Sequence, residues 1–158
     1  MLGMQKPTLN IVLVEPDIPW NTGAIGRTCV ALNLRLILIH PIGFSTDEKA
    51  VRRAGLDYWQ HVDLVEYQNW QEFLENEQPE NTFLYTISGD KNFFDAQYKI
   101  NSYLVFGSES KGLDEFYHEA YRDNLYQVPM FSDKIRSLNL ANTATAVIYE
   151  AIRQIKFT

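Results

Sequence analysis

A rhythm constrains this chain more than any other feature. Short runs of β-branched and aromatic residues alternate with stretches of helical spacing along almost its whole length. The runs are Asn10–Glu15, Leu34–His40, Val62–Tyr67, Thr82–Ser88, Tyr103–Gly107 and Leu125–Met130. Between them lie Thr22–Leu32, Lys49–Leu56, Trp70–Glu77 and Leu113–Arg122, and a last helix is expected over about Asn139–Lys156. Such alternation predicts an α/β fold with a mostly parallel sheet and helices on both faces. Parallel neighbours need a crossover, and the crossover helix packs back on the sheet. Ile11–Val14 and Leu36–Ile39 are apolar at every position, as strands buried on both sides must be. No repeat or low-complexity linker breaks the pattern, so one domain over 1–158 is expected.

The last helix carries Leu140, Ala144, Val147, Ile148, Ala151, Ile152 and Ile155 at three- and four-residue spacing. Such a stripe faces a core or a subunit contact. With 46% hydrophobic and 22% charged residues, the chain has the balance of a globular protein rather than a disordered one. No apolar run approaches the ~20 residues of a membrane helix. The N-terminal stretch, residues 1–16, carries a single lysine, a short apolar run and no small-residue cleavage site. It reads as leading into a strand, not as a signal peptide. Cys29 is the only cysteine, which excludes an intrachain disulfide and fits a reducing, cytoplasmic compartment. His40, His61 and His118 lack ligand-spaced neighbours, so no metal is expected.

A net charge of −6 argues, taken alone, against a nucleic-acid partner. Its distribution qualifies that. Acidic residues crowd 63–80 and 109–123, whereas Lys49, Arg52 and Arg53, Lys111, and Lys134 and Arg136 leave room for a local basic surface.

Three clusters carry more polar chemistry than a scaffold needs. The first, Pro16 to Arg27, follows the first strand and opens the first helix. Asn21 or Thr22 can cap that helix and leave backbone N–H groups for an anion. The second, Leu104 to Leu113, is a buried strand running into a glycine-bounded loop with one carboxylate, Glu109. It is not a phosphate-binding P-loop, since Leu113 and Asp114 stand where Lys and Ser/Thr are required. Nor does a G-x-G-x-x-G follow the first strand, which excludes an ordinary dinucleotide-dependent oxidoreductase. The third cluster, Val128 to Asn142, is long for a strand-to-helix link and dense in hydrogen-bonding side chains. Ser137 or Asn139 can cap the last helix, but one cap does not account for Arg136, Ser137, Asn139 and Asn142 together.

In this order the clusters resemble the signature motifs of the SPOUT (trefoil-knot) RNA methyltransferases, closest to the tRNA (cytidine/uridine-34-2′-O)-methyltransferases. The likeness runs from Asn10 to about Arg153. It includes Asn21-x-Gly23-x-x-x-Arg27, Arg52 to Tyr58, Phe106-Gly107-Ser108-Glu109 with Gly112-Leu113, and Ser137 to Asn142. Two departures stand out: Trp20 replaces a second proline usual in that branch, and the loop Ser132–Arg136 is one residue longer.

The resemblance implies a deep trefoil knot in a cofactor-binding part over about 82–158, an exception to the rule against knots. It implies an obligate homodimer whose interface includes the first and last helices. It also implies S-adenosylmethionine as cofactor, with S-adenosylhomocysteine as product and no metal. The substrate implied is the ribose of the wobble nucleotide, position 34, in the anticodon stem-loop of a tRNA. The alternatives are another tRNA or rRNA position, or a non-catalytic RNA-binding module of the same fold. By residue match, Arg27, Glu109 and Asn139 are the catalytic candidates. Cofactor contacts fall on Tyr85, Thr86, Gly107, Glu109, Val128, Met130, Ser137 and Leu138, largely through backbone. RNA contacts fall on Asn21, Arg27, Lys49, Arg52, Arg53, Lys134 and Arg136.

Overall fold

The computed structural model describes residues 6–158; residues 1–5, where the N-terminal stretch begins, lie outside the described residues. Seven strands form one sheet: β1 (Leu9–Val14), β2 (Arg35–Ile39), β3 (Asp63–Tyr67), β4 (Thr82–Tyr85), β5 (Lys91–Asn92), β6 (Ser102–Phe106) and β7 (Leu125–Gln127). Their order is β3-β2-β1-β6-β4-β7-β5, and every neighbouring pair is parallel. The helices are α1 (Pro19–Leu32), α2 (Glu48–Arg53), α3 (Trp70–Glu77), α4 (Glu115–Ala120) and α5 (Leu140–Lys156).

Strand periodicity explains why the central runs are apolar throughout. Leu9, Ile11 and Leu13 of β1 and Leu36 and Leu38 of β2 pack with Ile25 and Cys29 of α1 and with Ala144, Val147, Ile148 and Ala151 of α5. The alternate residues, Val12, Val14, Ile37 and Ile39, pack with Trp70 and Phe73 of α3 and Tyr117 of α4. Each strand residue therefore meets a helix layer on its own side. The α5 stripe is consumed by this core. Ala144, Val147, Ile148, Ala151 and Ile152 are covered by the sheet and α1 of the same chain, and Leu140 and Ile155 are partly buried against them. The Cys29 thiol lies in the same layer, and burial pushes its pKa up to about 12, which leaves it unreactive at neutral pH.

Several boundaries differ from the sequence reading, each for a local reason. α1 begins at Pro19 rather than Thr22, since proline at the first helical position needs no N–H partner. Asn21 and Thr22 therefore sit inside its first turn and do not cap it. β4 and β7 end at Tyr85 and Gln127, short of Ser88 and Met130. Residues 86–90 must cross β7 to reach β5 on its far side. They do so against the backbone of Tyr126, where a Cβ on Gly89 would stand 2.5 Å from the carbonyl carbon. β5 escaped the sequence reading because two residues carry no periodicity.

At the amino-terminal ends of the strands, Glu77 is the hub of a buried polar cluster. It takes both guanidinium nitrogens of Arg35 at 2.5 and 2.7 Å and accepts from the hydroxyls of Tyr67 and Tyr103. Burial raises its pKa, but the hydrogen bonds from Arg35, Tyr67 and Tyr103 outweigh that and hold it below the ordinary 4.5. Burial and the same carboxylate push Tyr67 up to about 12. A lowered carboxylate pKa adds stability that is present above the unfolded value and lost as pH falls through the folded one. Glu77→Ala leaves Arg35 uncompensated and should destabilise the fold by about 3–5 kcal/mol. Urea unfolding should also show that Glu77→Gln flattens the decline in stability below about pH 4.5. A decline as steep as that of the parent chain would remove Glu77 as its cause.

Candidate active site

Because every strand is parallel, all carboxyl ends lie on one edge, where open α/β sheets place their ligands. The loops after β4, β6 and β7 meet the first turn of α1 there and enclose a cleft of about 520 Å³. Tyr85 and Thr86 line it from β4, Gly107 and Glu109 from β6, and Val128, Met130, Arg136, Ser137, Leu138 and Asn139 from the long loop after β7. Asn21 of α1 closes the ring. Residues far apart in sequence thus converge on one concavity.

The loop after β6 owes its shape to two glycines. Ser108 and Gly112 pair across it, with the Gly112 N–H donating to the Ser108 carbonyl at 2.8 Å. Gly112 adopts φ 67, which glycine tolerates at no steric cost. A Cβ on Gly107 would stand 2.2 Å from the Gly112 carbonyl carbon, so only glycine lets the loop close.

Glu109 leaves this loop to grip the start of α1. Its carboxylate accepts from the backbone N–H groups of Asp17 at 3.2 Å and Ile18 at 2.5 Å, across 92 and 91 residues of sequence. Ile18, the N-cap position, has no side-chain cap, and the remote carboxylate brings negative charge to the positive end of α1. The clamp is reciprocal: the Asp17 carboxylate accepts from the Ser110 N–H at 3.1 Å and from the Ser110 hydroxyl. Asn139 caps α5, accepting from the Asn142 N–H at 3.1 Å, and its amide donates to Asn21 Oδ1 at 3.2 Å. That bond fixes the orientation of the Asn21 amide and leaves its own NH₂ for a ligand. The geometry thus gives Glu109 and Asn139 positioning work.

Some candidates are not brought together. Arg27 is exposed on α1 and does not line the cleft; its guanidinium lies 5.5 Å from the ring centroid of Tyr58. The Tyr58 hydroxyl donates to the Gly23 carbonyl at 2.7 Å, tying that ring to the turn that bears Asn21. Arg52 and Arg53 are exposed on α2, where Arg52 pairs with Glu48, and Lys134 is exposed at the loop after β7 but outside the cleft lining. The Asp17–Ser110 half of the clamp is absent from the sequence reading, since nothing local marks a partner 93 residues away. His118 of α4 also stands in the cleft wall, with Nε2 3.2 Å from the Leu113 carbonyl.

The chain is similar to known RNA methyltransferases. A tRNA (cytidine(34)-2′-O)-methyltransferase from Saccharophagus degradans is 42% identical over 149 residues, covering 94% of this chain and 96% of that protein. A solved structure concerned with the 2-OH methylation of C/U34 on tRNA matches with a TM-score of 0.84 at 39% identity, over 94% of this chain and 96% of that one. A SpoU methyltransferase from Streptomyces viridochromogenes, solved in complex with the cofactor AdoMet, matches with a TM-score of 0.78 at 28% identity, over 96% of this chain and 62% of that one. Residues 8–149 match the SpoU rRNA methylase family, and the chain belongs to it.

Proposed function

We propose that this chain is a methyltransferase that modifies the ribose 2′-oxygen of the wobble nucleotide, cytidine or uridine 34, of a tRNA. The observation that carries the reading is the convergence of Asn21, Gly107, Glu109, Ser137 and Asn139 on one cleft at the carboxyl edge of the sheet. S-adenosylmethionine fits the residues present. The volume lies within the ~300–1,000 Å³ range of small-molecule sites. Apolar side chains of Tyr85, Val128, Met130 and Leu138 flank exposed strand ends whose peptide groups can match the edge of an adenine. When bound, the cofactor supplies a methyl group on a sulfonium centre, and no metal is required.

The chain's own residues then position and polarise the substrate. Ser137 and the Asn21 amide offer hydrogen bonds at the cleft mouth. The Glu109–Asp17–Ser110 clamp holds the loop after β6 in register with α1. Arg27, a planar guanidinium with five N–H donors, orients a phosphate of the RNA and stabilises the alkoxide that develops at the 2′-oxygen. Lys49, Arg52, Arg53, Lys134 and Arg136 supply exposed positive charge for the anticodon stem-loop on an otherwise acidic protein, and raised salt should weaken that grip.

Arg27 lies outside the cleft of its own chain, which favours a homodimer in which a second copy completes the site. Apolar side chains left uncovered on the loop after β7 and on α5, Phe131, Ile135 and Tyr149, favour the same arrangement. We place the enzyme in the cytoplasm as one domain, knotted over about 82–158; the crossing of residues 86–90 over β7 accords with such threading. Among the described residues no helix is long and apolar enough to cross a membrane.

The test is transfer of labelled methyl to tRNA lacking wobble methylation, followed by alkaline digestion. A 2′-O-methyl group removes the hydroxyl that attacks the adjacent phosphate, so label should survive in one uncleavable dinucleotide that includes position 34. Label in a different dinucleotide would move the target. Failure to bind S-adenosylmethionine as well as to transfer would end the methyltransferase reading.

A further inference from the structure

A second concavity lies on the other side of the α1 first turn. It has a volume of about 350 Å³ and is walled by Trp20, Phe44, Val51, Leu56 and Trp59. Trp20 stands at its rim with 75% of its surface exposed, although a large aromatic side chain gains most by burial. Thr22, in the same wall, carries the one buried side-chain oxygen without a hydrogen-bond partner among the described residues. The two concavities share one turn of helix: Asn21 faces the cleft and its neighbours Trp20 and Thr22 face this pocket. The α2 wall carries Lys49, Arg52 and Arg53, all exposed. Of these Arg52 is paired with Glu48, and Asp47 is occupied in capping α2; Lys49 and Arg53 have no ion-pair partner within 4 Å among the described residues.

We propose that this pocket receives an unpaired base of the RNA substrate, from a nucleotide flanking the one that is methylated, and that Trp20 stacks on it. The inference rests on the RNA reading above. A planar ring with apolar faces and a polar edge suits an aromatic-walled slot lined by the hydroxyl residues Thr22, Ser45 and Thr46, of which Thr22 alone has no hydrogen-bond partner among the described residues. The volume holds one such ring and no helix. The cations on α2 stand where the phosphates of a splayed loop would run, and the shared α1 turn puts the pocket beside the cleft, a nucleotide's reach away. Stacking on an exposed aromatic side chain is how proteins commonly hold unpaired RNA bases.

The experiment compares the parent protein with Trp20→Ala and Trp20→Phe on an anticodon stem-loop. It uses the intact RNA and versions in which one flanking nucleotide at a time has lost its base but kept its sugar and phosphate. RNA affinity is read by fluorescence anisotropy and transfer by labelled methyl. Trp20→Ala should weaken RNA binding about tenfold or more. It should leave cofactor affinity, thermal midpoint and kcat at saturating RNA unchanged, and Trp20→Phe should recover most of the loss. One abasic RNA should bind the parent protein as weakly as intact RNA binds Trp20→Ala, and the two losses should not add. Unchanged RNA affinity in Trp20→Ala, additive losses, or a change of oligomeric state on sedimentation in place of an RNA defect would each overturn the proposal. Absence of methyl transfer by the parent protein bears on the enzymatic reading instead, because anisotropy reads the pocket without turnover.

Discussion

Arg27→Ala should reduce methyl transfer by at least 10²–10³-fold while S-adenosylhomocysteine still binds with the parent affinity. Losing one preorganised donor to a developing oxyanion has an effect of that size. Here the same side chain also orients an RNA phosphate, so the loss should fall on kcat and on the RNA KM together. The separation from cofactor binding follows from position. Arg27 is exposed, lies over the Tyr58 ring and makes no contribution to the cleft wall. Truncation at such a surface site shifts stability by about 0.5 kcal/mol or less. Arg27→Lys should be intermediate, since the ammonium keeps the charge but not the planar fork that grips two oxygens. Single-turnover transfer at saturating RNA, with calorimetric titration of the cofactor product, measures both quantities. A kcat within a few-fold of the parent would remove Arg27 from the chemistry.

Gly107→Ala should cost cofactor affinity at least about 100-fold, because misplacing groups by about 1 Å is enough for a loss of that size. The added Cβ would occupy space 2.2 Å from the Gly112 carbonyl carbon and 2.4 Å from the Leu113 nitrogen. Both are backbone atoms that cannot swing aside as a side chain can. The loop would have to open, the Ser108–Gly112 pairing would break, and Glu109 would move with it from the backbone of Asp17 and Ile18. Overpacking of this kind also destabilises by about 1–3 kcal/mol. For a chain of this size that lowers Tm by about 2–4 °C per kcal/mol. Gly112→Ala is the useful contrast. Nothing lies within 4 Å of its Cβ position, and only its φ of 67 opposes the change. It should cost about 1–2 kcal/mol, as a left-handed residue does, and spare the cleft. Calorimetric titration and thermal melts of the two variants side by side separate steric closure of the loop from simple backbone strain.

Much of the fold was legible because its signals are local. The runs Ile11–Val14 and Leu36–Ile39 are apolar at every position, which a strand can sustain only between two helix layers, and both layers are present. Three motif clusters marked the loops after β1, β6 and β7, and those loops do build the cleft. The α5 stripe marked a buried face equally well, but its pattern is the same whether a sheet or a second chain covers it. The caps were harder to read. Asn21, Thr22, Ser137 and Asn139 are all good capping residues, and only Asn139 caps.

Alternation, burial on both strand faces and the order of motifs depend on nearest neighbours in the chain, so the sequence by itself determined the α/β class, the parallel sheet and the loops that carry the chemistry. Partnerships across the sheet obey no such spacing. The Glu109 carboxylate meets Asp17 across 92 residues and Ile18 across 91, Asn139 meets Asn21 across 118, and residues 86–90 ride over β7. The family resemblance pointed Glu109 and Asn139 toward catalysis and left Asp17 and Ser110 unremarked. Only the tertiary structure shows these partnerships, because a hydrogen bond is fixed by where two backbones are held in space. Here the parallel sheet holds them, by bringing the carboxyl ends of β1, β4, β6 and β7 to one edge.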